Sequence, residues 1–135
     1  MKLPTTASGF FRQIDAEQLV RNNIREMVDD HEMVRDELPD GWSPSKGIVI
    51  VVQGDGTTDS QTAFTEELVR VSVHGESRPD VRSVMSQIDD NIQGNMFRLS
   101  LTSATTVIGL MVTPSSLRGG YVASVTYKIR RRRIG

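Results

Sequence analysis

Between Leu68 and Ile92 the chain reads LVRVSVHGESRPDVRSVMSQIDDNI, and its apolar period changes halfway. Val69, Val71 and Val73 alternate with Arg70, Ser72 and His74. That two-residue period in β-branched residues predicts a strand with one buried face. Gly75 ends the run. Ser77 is placed to cap a helix, Pro79 suits a first turn, and Asp80 suits the positive helix end. Val81, Val84, Met85, Ile88 and Ile92 then form one helical stripe. Gly94 is expected to end the helix in a left-handed conformation. A strand feeding an amphipathic helix through a short turn is a core unit of α+β and α/β domains.

The rest of the chain attaches to this unit. Residues 1–13, MKLPTTASGFFRQ, resist regular structure and predict an extended arm that Phe10 and Phe11 anchor on this core or on a neighbour. Ile14 to Val28 predict the first helix, with Asp15 as its N-cap and Leu19, Val20, Ile24, Met27 and Val28 as its buried stripe. Glu32 to Leu38 fit either a continued helix or a short strand, and the break at Asp29-Asp30 favours the strand. Pro39-Asp40-Gly41 is a turn signal. Trp42, the single tryptophan, is placed as a lid on the core.

Ile48 to Gln53, IVIVVQ, predict a central strand covered on both faces. Gly54 to Phe64 read as a long polar loop and Glu66 to Gly75 as the next strand. Thr106 to Val112 predict a strand with Gly109 at a bulge. Turn residues fill Pro114 to Gly120. Tyr121 to Arg130 then alternate along a strand with one apolar and one wet face. The expectation is a single α+β domain in the order α-β-β-β-α-β-β. It has a mixed, mostly antiparallel sheet of four or five strands flanked by two helices.

The absence of cysteine excludes disulfides, thiol catalysis and cysteine zinc sites. No apolar run reaches the roughly eighteen residues of a membrane span, and no apolar signal core opens the chain. A soluble protein made in the cytoplasm is expected. His31 and His74 are the two histidines; they form no HxxxH or HExxH pair. His74 falls on the polar face of its strand and is expected to be solvated. Neither a GxSxG elbow nor a phosphate-cradling glycine loop with its lysine is present. The adjacent pairs Glu66-Glu67 and Asp89-Asp90 read as solvated charges that point different ways. The expectation is a non-enzymatic protein without cofactor or metal.

Asp55, Thr57, Asp59, Gln61, Ala63 and Glu66 repeat the spacing of a calcium loop. The required glycine is replaced by Ser60, position three is Thr57, and a strand precedes the loop. The same loop, at Asp55, Gly56, Thr57, Thr58, Asp59 and Ser60, reads instead as a contact surface, since connections of this length often carry function.

Charge is strongly polarised. The first 117 residues carry ten bases and 17 acids, a balance of −7, and the last 18 carry +6 with no acid. Asp29, Asp30, Glu32, Asp36, Glu37 and Asp40 concentrate the negative charge. Arg130, Arg131, Arg132 and Arg133 concentrate the positive charge. Such asymmetry points to a nucleic-acid arm or to complementary patches on identical subunits. Aromatic stacking platforms for single strands are scarce, because Tyr121 and Tyr127 fall on the apolar face. Two readings of the arginines therefore rank above nucleic acid: contact with acids such as Asp36 and Glu37 of a neighbour, and protection of a sheet edge.

Taken together, Asp15-Ala-Glu with its helix, Leu38-Pro-Asp-Gly-Trp ahead of IVIVVQGDG, VRVSVHGESRPDVRSVMSQI and the final SSLRGGYVASVTYKIRRRR resemble a known family. It is that of the tail terminator proteins of long-tailed bacteriophages, in the group found in phages of actinobacteria. The resemblance covers roughly residues 14 to 133 and lies in order and spacing rather than in a catalytic signature. It implies an α+β domain and a hexameric ring at the head–tail junction of the virion. That ring caps the tail tube, stops its polymerisation and docks to head-connector proteins. It implies no catalytic residue, membrane contact or specific nucleic-acid contact. The alternatives are a small nucleic-acid-binding domain and another head–tail connector subunit.

Overall fold

The computed structural model describes residues 16–57, 64–94, 102–116 and 118–132. Helix α1 spans Ala16–Met27. A 3-10 turn at His31–Met33 leads into the short strand β1, Val34–Arg35. Strands β2 and β3 follow at Val49–Thr57 and Phe64–Gly75, then helix α2 at Arg78–Gly94. Strands β4 and β5 cover Thr102–Pro114 and Tyr121–Arg132. The architecture is α+β with the expected order, and the five strands form one mixed sheet ordered β1-β2-β3-β5-β4. Only β1 and β2 run parallel; the other neighbours are antiparallel.

Both helices cover one face. The α2 stripe buries Val81, Met85, Ile88 and Ile92, with Val84 at its margin. From α1 come Ala16, Val20 and Ile24. They meet Ile50 and Val52 of β2, Val69, Val71 and Val73 of β3, and Ala123, Val125, Tyr127 and Ile129 of β5. Full burial of such a side chain contributes about 2 kcal/mol each, so this layer is the main source of stability.

The α2 start is built as its residues dictate. The Asp80 N–H donates to Ser77 Oγ at 3.2 Å, and the Val81 N–H donates to the Ser77 carbonyl. Gly75 is needed for the tight entry, since a Cβ there would lie 2.9 Å from Val81 Cγ1. The α1 start is capped from a distance: the Ala16 N–H donates to Glu67 Oε2 at 2.9 Å. The expected cap, Asp15, lies outside the described residues, as do the 1–13 arm and residues 95–101.

Several expectations need correction. The 54–64 segment is shorter as a loop than its polarity implies, because β2 continues to Thr57 and β3 begins at Phe64. A bulge between Gly54 and Gly56 absorbs the irregular stretch, and the antiparallel ladder continues beyond it. Backbone pairing does not require apolar side chains, so polarity alone misplaced the strand end. Gly94 remains helical rather than left-handed; among the described residues the positive-φ glycines are Gly41, Gly47, Gly119 and Gly120. Gly120 is indispensable in the β4–β5 turn, where φ is +72° and a Cβ would meet the Gly75 carbonyl oxygen at 2.3 Å.

Candidate functional site

The hairpin and the arginine strand end together. Glu66 pairs with Arg130, Thr65 with Arg131 and Phe64 with Arg132 along the β3–β5 ladder. Thus Asp55, Gly56 and Thr57, at the end of β2, lie two strands from the basic end of β5. Thr58, Asp59, Ser60 and Arg133 fall outside the described residues. Charges in this region already have partners on adjacent strands. Lys128 Nζ lies 3.5 Å from Glu66 Oε2, and Arg70 Nη2 lies 3.6 Å from Asp55 Oδ1. Arg70 also donates to Gln53 Oε1 at 3.2 Å. Asp55 and Glu66, two of the calcium-spaced carboxylates, are therefore each drawn to a base on the neighbouring strand.

Asp36 and Glu37 lie elsewhere. They follow β1, whose residues Val34 and Arg35 pair with Ile50 and Val51. In the sheet order β1 and β5 are three positions apart, about 14 Å at normal strand spacing. The acidic segment and the basic strand are thus separate patches of one subunit. On the acidic side the Arg25 guanidinium donates to the Val34 carbonyl at 3.0 Å, fastening β1 to α1. Asp30 accepts from the Glu32 N–H and caps the 3-10 turn.

The face away from the helices is partly covered. Trp42 shields Val49 and Val51 with help from Leu38, and its indole N–H donates to the Gly47 carbonyl at 3.1 Å. This is the lid expected of the lone tryptophan. Beside it runs a cleft of about 310 Å³, walled by Leu38, Val51, Gln53, Arg70, His74 and Ser124 among others. His74 is not the solvated residue its alternation implied. Its ring meets Trp42 edge-on at 6.0 Å, and its Nε2 lies 3.1 Å from Ser72 Oγ. Burial, and secondarily the Arg118 charge, lower its pKa to about 4. The lid makes the difference: alternation assigns a face, and a distant residue then covers that face.

The acidic pairs also have structural tasks. Glu66 and Glu67 do diverge, one toward Lys128 and the other onto the α1 N-terminus. Asp89 is not merely solvated, because it accepts from the buried Tyr127 hydroxyl at 2.6 Å. Burial, that hydrogen bond and the neighbouring carboxylates push the phenol far above its ordinary pKa. Tyr127 belongs to the core beneath α2.

The edge reading of the arginines does not hold for β5. That strand is internal, paired with β3 on one side and β4 on the other. The edge on that side is β4, whose sequence TSATTVIGLMVTP carries no charge. Register shifts fall between Thr106 and Ile108 and between Ile108 and Met111, the second spanning Gly109, as expected of a bulge. They leave Val107, Ile108 and Met111 half exposed, at 50%, 50% and 48%. No sequence argument singled out these three. The available signal was the absence of charge across thirteen residues beside a strand rich in arginine. Comparison with protein-family models and with the curated proteins finds no match.

Proposed function

We propose that this chain is a structural virion subunit of the tail terminator kind. Identical copies form a ring, expected to be hexameric, that caps the tail tube and ends its polymerisation. The ring then presents the tail-side surface to the head connector. The observation that carries the reading is the placement of the acidic segment around β1 and the basic end of β5 at separate positions across one sheet. A head-to-tail ring needs two different, complementary patches on each subunit. The order and spacing of the segments resembling tail terminators support the same reading. The end of β2, with Asp55, Gly56 and Thr57, is assigned to contact with the tube or a neighbour.

Negative-stain imaging of the purified protein, with and without tail tubes, tests this directly. Rings alone and capped tubes in the mixture are expected. Light scattering and fluorescence anisotropy with labelled duplex and single strands complete the test. A monomer that binds DNA tightly, with affinity falling steeply in salt, would replace this reading with a nucleic-acid one.

A further inference from the structure

An uncharged sheet edge is a liability that proteins normally blunt with lysines, short strands or a covering element. Strand β4 is thirteen residues long and carries no charge, with two bulges and the terminal Pro114 as its only devices among the described residues. Its centre presents Val107, Ile108 and Met111 half exposed. Ile108 pairs with Thr126 and Met111 with Ser124, so both share the face that β5 lines with Lys128 and Arg130. An apolar centre bordered by bases on one side has the composition of a contact patch.

Its complement lies at the far end of the same sheet. Asp30, Glu32, Asp36, Glu37 and Asp40 are all exposed around β1. Four strand spacings, about 19 Å, separate β1 from β4, so the two ends cannot satisfy each other within one subunit. The β1 edge also offers little as a sheet-pairing edge, because it is two residues long and Arg25 occupies the Val34 carbonyl. What remains there is a groove walled by Met33, Pro39 and Trp42, with the carboxylates of Asp30, Glu32 and Asp40 outnumbering Arg35 and Lys46 at its rim.

We propose that β4 is the centre of the contact between copies of this chain: Val107, Ile108 and Met111 of one copy pack against the acidic β1 side of the next, with Lys128 and Arg130 facing its carboxylates. The contact rests on the ring reading for its head-to-tail sense. It shifts the energetic weight from the arginines to an apolar strand. Desolvated apolar centres dominate interface energetics, and rim charges chiefly set specificity and association rate.

The test compares the full-length wild type with Ile108→Glu and Ile108→Lys by light scattering and sedimentation over a concentration series. Thermal melts confirm that each variant folds. Glutamate should weaken association by roughly 30-fold or more, the size expected for a central residue. Lysine should weaken it less, because the facing surface is acidic. Equal losses would overturn the acidic β1 side as partner, and no loss from either would overturn β4 as the contact. Hydrogen exchange on the unaltered protein serves as the independent arm. Amides of residues 103–113 and the 30–40 segment should gain protection together as the protein is concentrated. Rings that form without that protection would sink the β4 contact and leave the ring reading intact. A wild type that stays monomeric throughout would sink both.

Discussion

The two faces of the sheet are stabilised in different ways. Under the helices, β-branched residues of β2, β3 and β5 meet two amphipathic stripes and are almost wholly buried. On the opposite face a smaller cluster, Trp42 over Val49 and Val51, dries only the β2 side. Toward β5 and β4 that face turns to Ser124, Lys128 and Arg130, and then to the half-exposed edge. The first face holds most of the buried apolar residues. The second is finished near β2 by Trp42 with Leu38, and is left half exposed near β4.

Breaking the covered face should have the largest effect. Ile88→Asp places a charge in the centre of the α2 contact, where Ile88 is 1% exposed. A loss of about 4 kcal/mol or more is expected, enough to unfold the subunit. A soluble variant with a cooperative, native-like melt would show that α2 is not the main source of stability.

Trp42→Ala attacks the other face. It uncovers Val49 and Val51 and frees the Gly47 carbonyl. About 3 kcal/mol of destabilisation is expected from urea unfolding, followed by far-UV circular dichroism. The fold should survive, because the helix layer is untouched. A loss as large as that of Ile88→Asp would erase the proposed ranking of the two faces.

Tyr127→Phe probes the polar contact inside the covered layer. The ring stays packed while Asp89 loses its 2.6 Å donor. Asp89 reaches solvent, so about 1 kcal/mol is expected in the urea midpoint. No change would mean that water fully replaces the phenol.

The smallest effect concerns pH on the open face. His74 has its pKa lowered to about 4, so between about 6.5 and 4 the unfolded chain takes up a proton that the folded chain refuses. Stability therefore rises with pH across that window and is lost as pH falls through it. His74→Gln removes this contribution. Its stability should fall less steeply than that of the wild type between those values, and parallel curves would show that His74 is not buried as described.

Local patterns carried much of the fold. The alternation at Val69, Val71 and Val73, the stripe from Val81 to Ile92 and the Ser77 cap each depend on residues a few positions apart, and each was legible. Periodicity specifies which side of an element is buried, because side-chain direction repeats every 2 or 3.6 residues. The lid function of Trp42 was legible too, from its position beside a turn.

What tertiary structure decided was who lies beside whom. Strand β5 is inserted between β3 and β4, so the arginine-rich strand is internal and an uncharged strand forms the edge. The same long-range pairing extends the hairpin through polar residues, draws Glu67 to the start of α1, and places His74 beneath Trp42. Strand order is set by the packing of segments tens of residues apart, and no local period encodes it. Ile108 and Met111 follow the same logic. Their β-branched and flexible apolar character predicts a buried strand, and their exposure arises because, among the described residues, no further strand or helix covers β4.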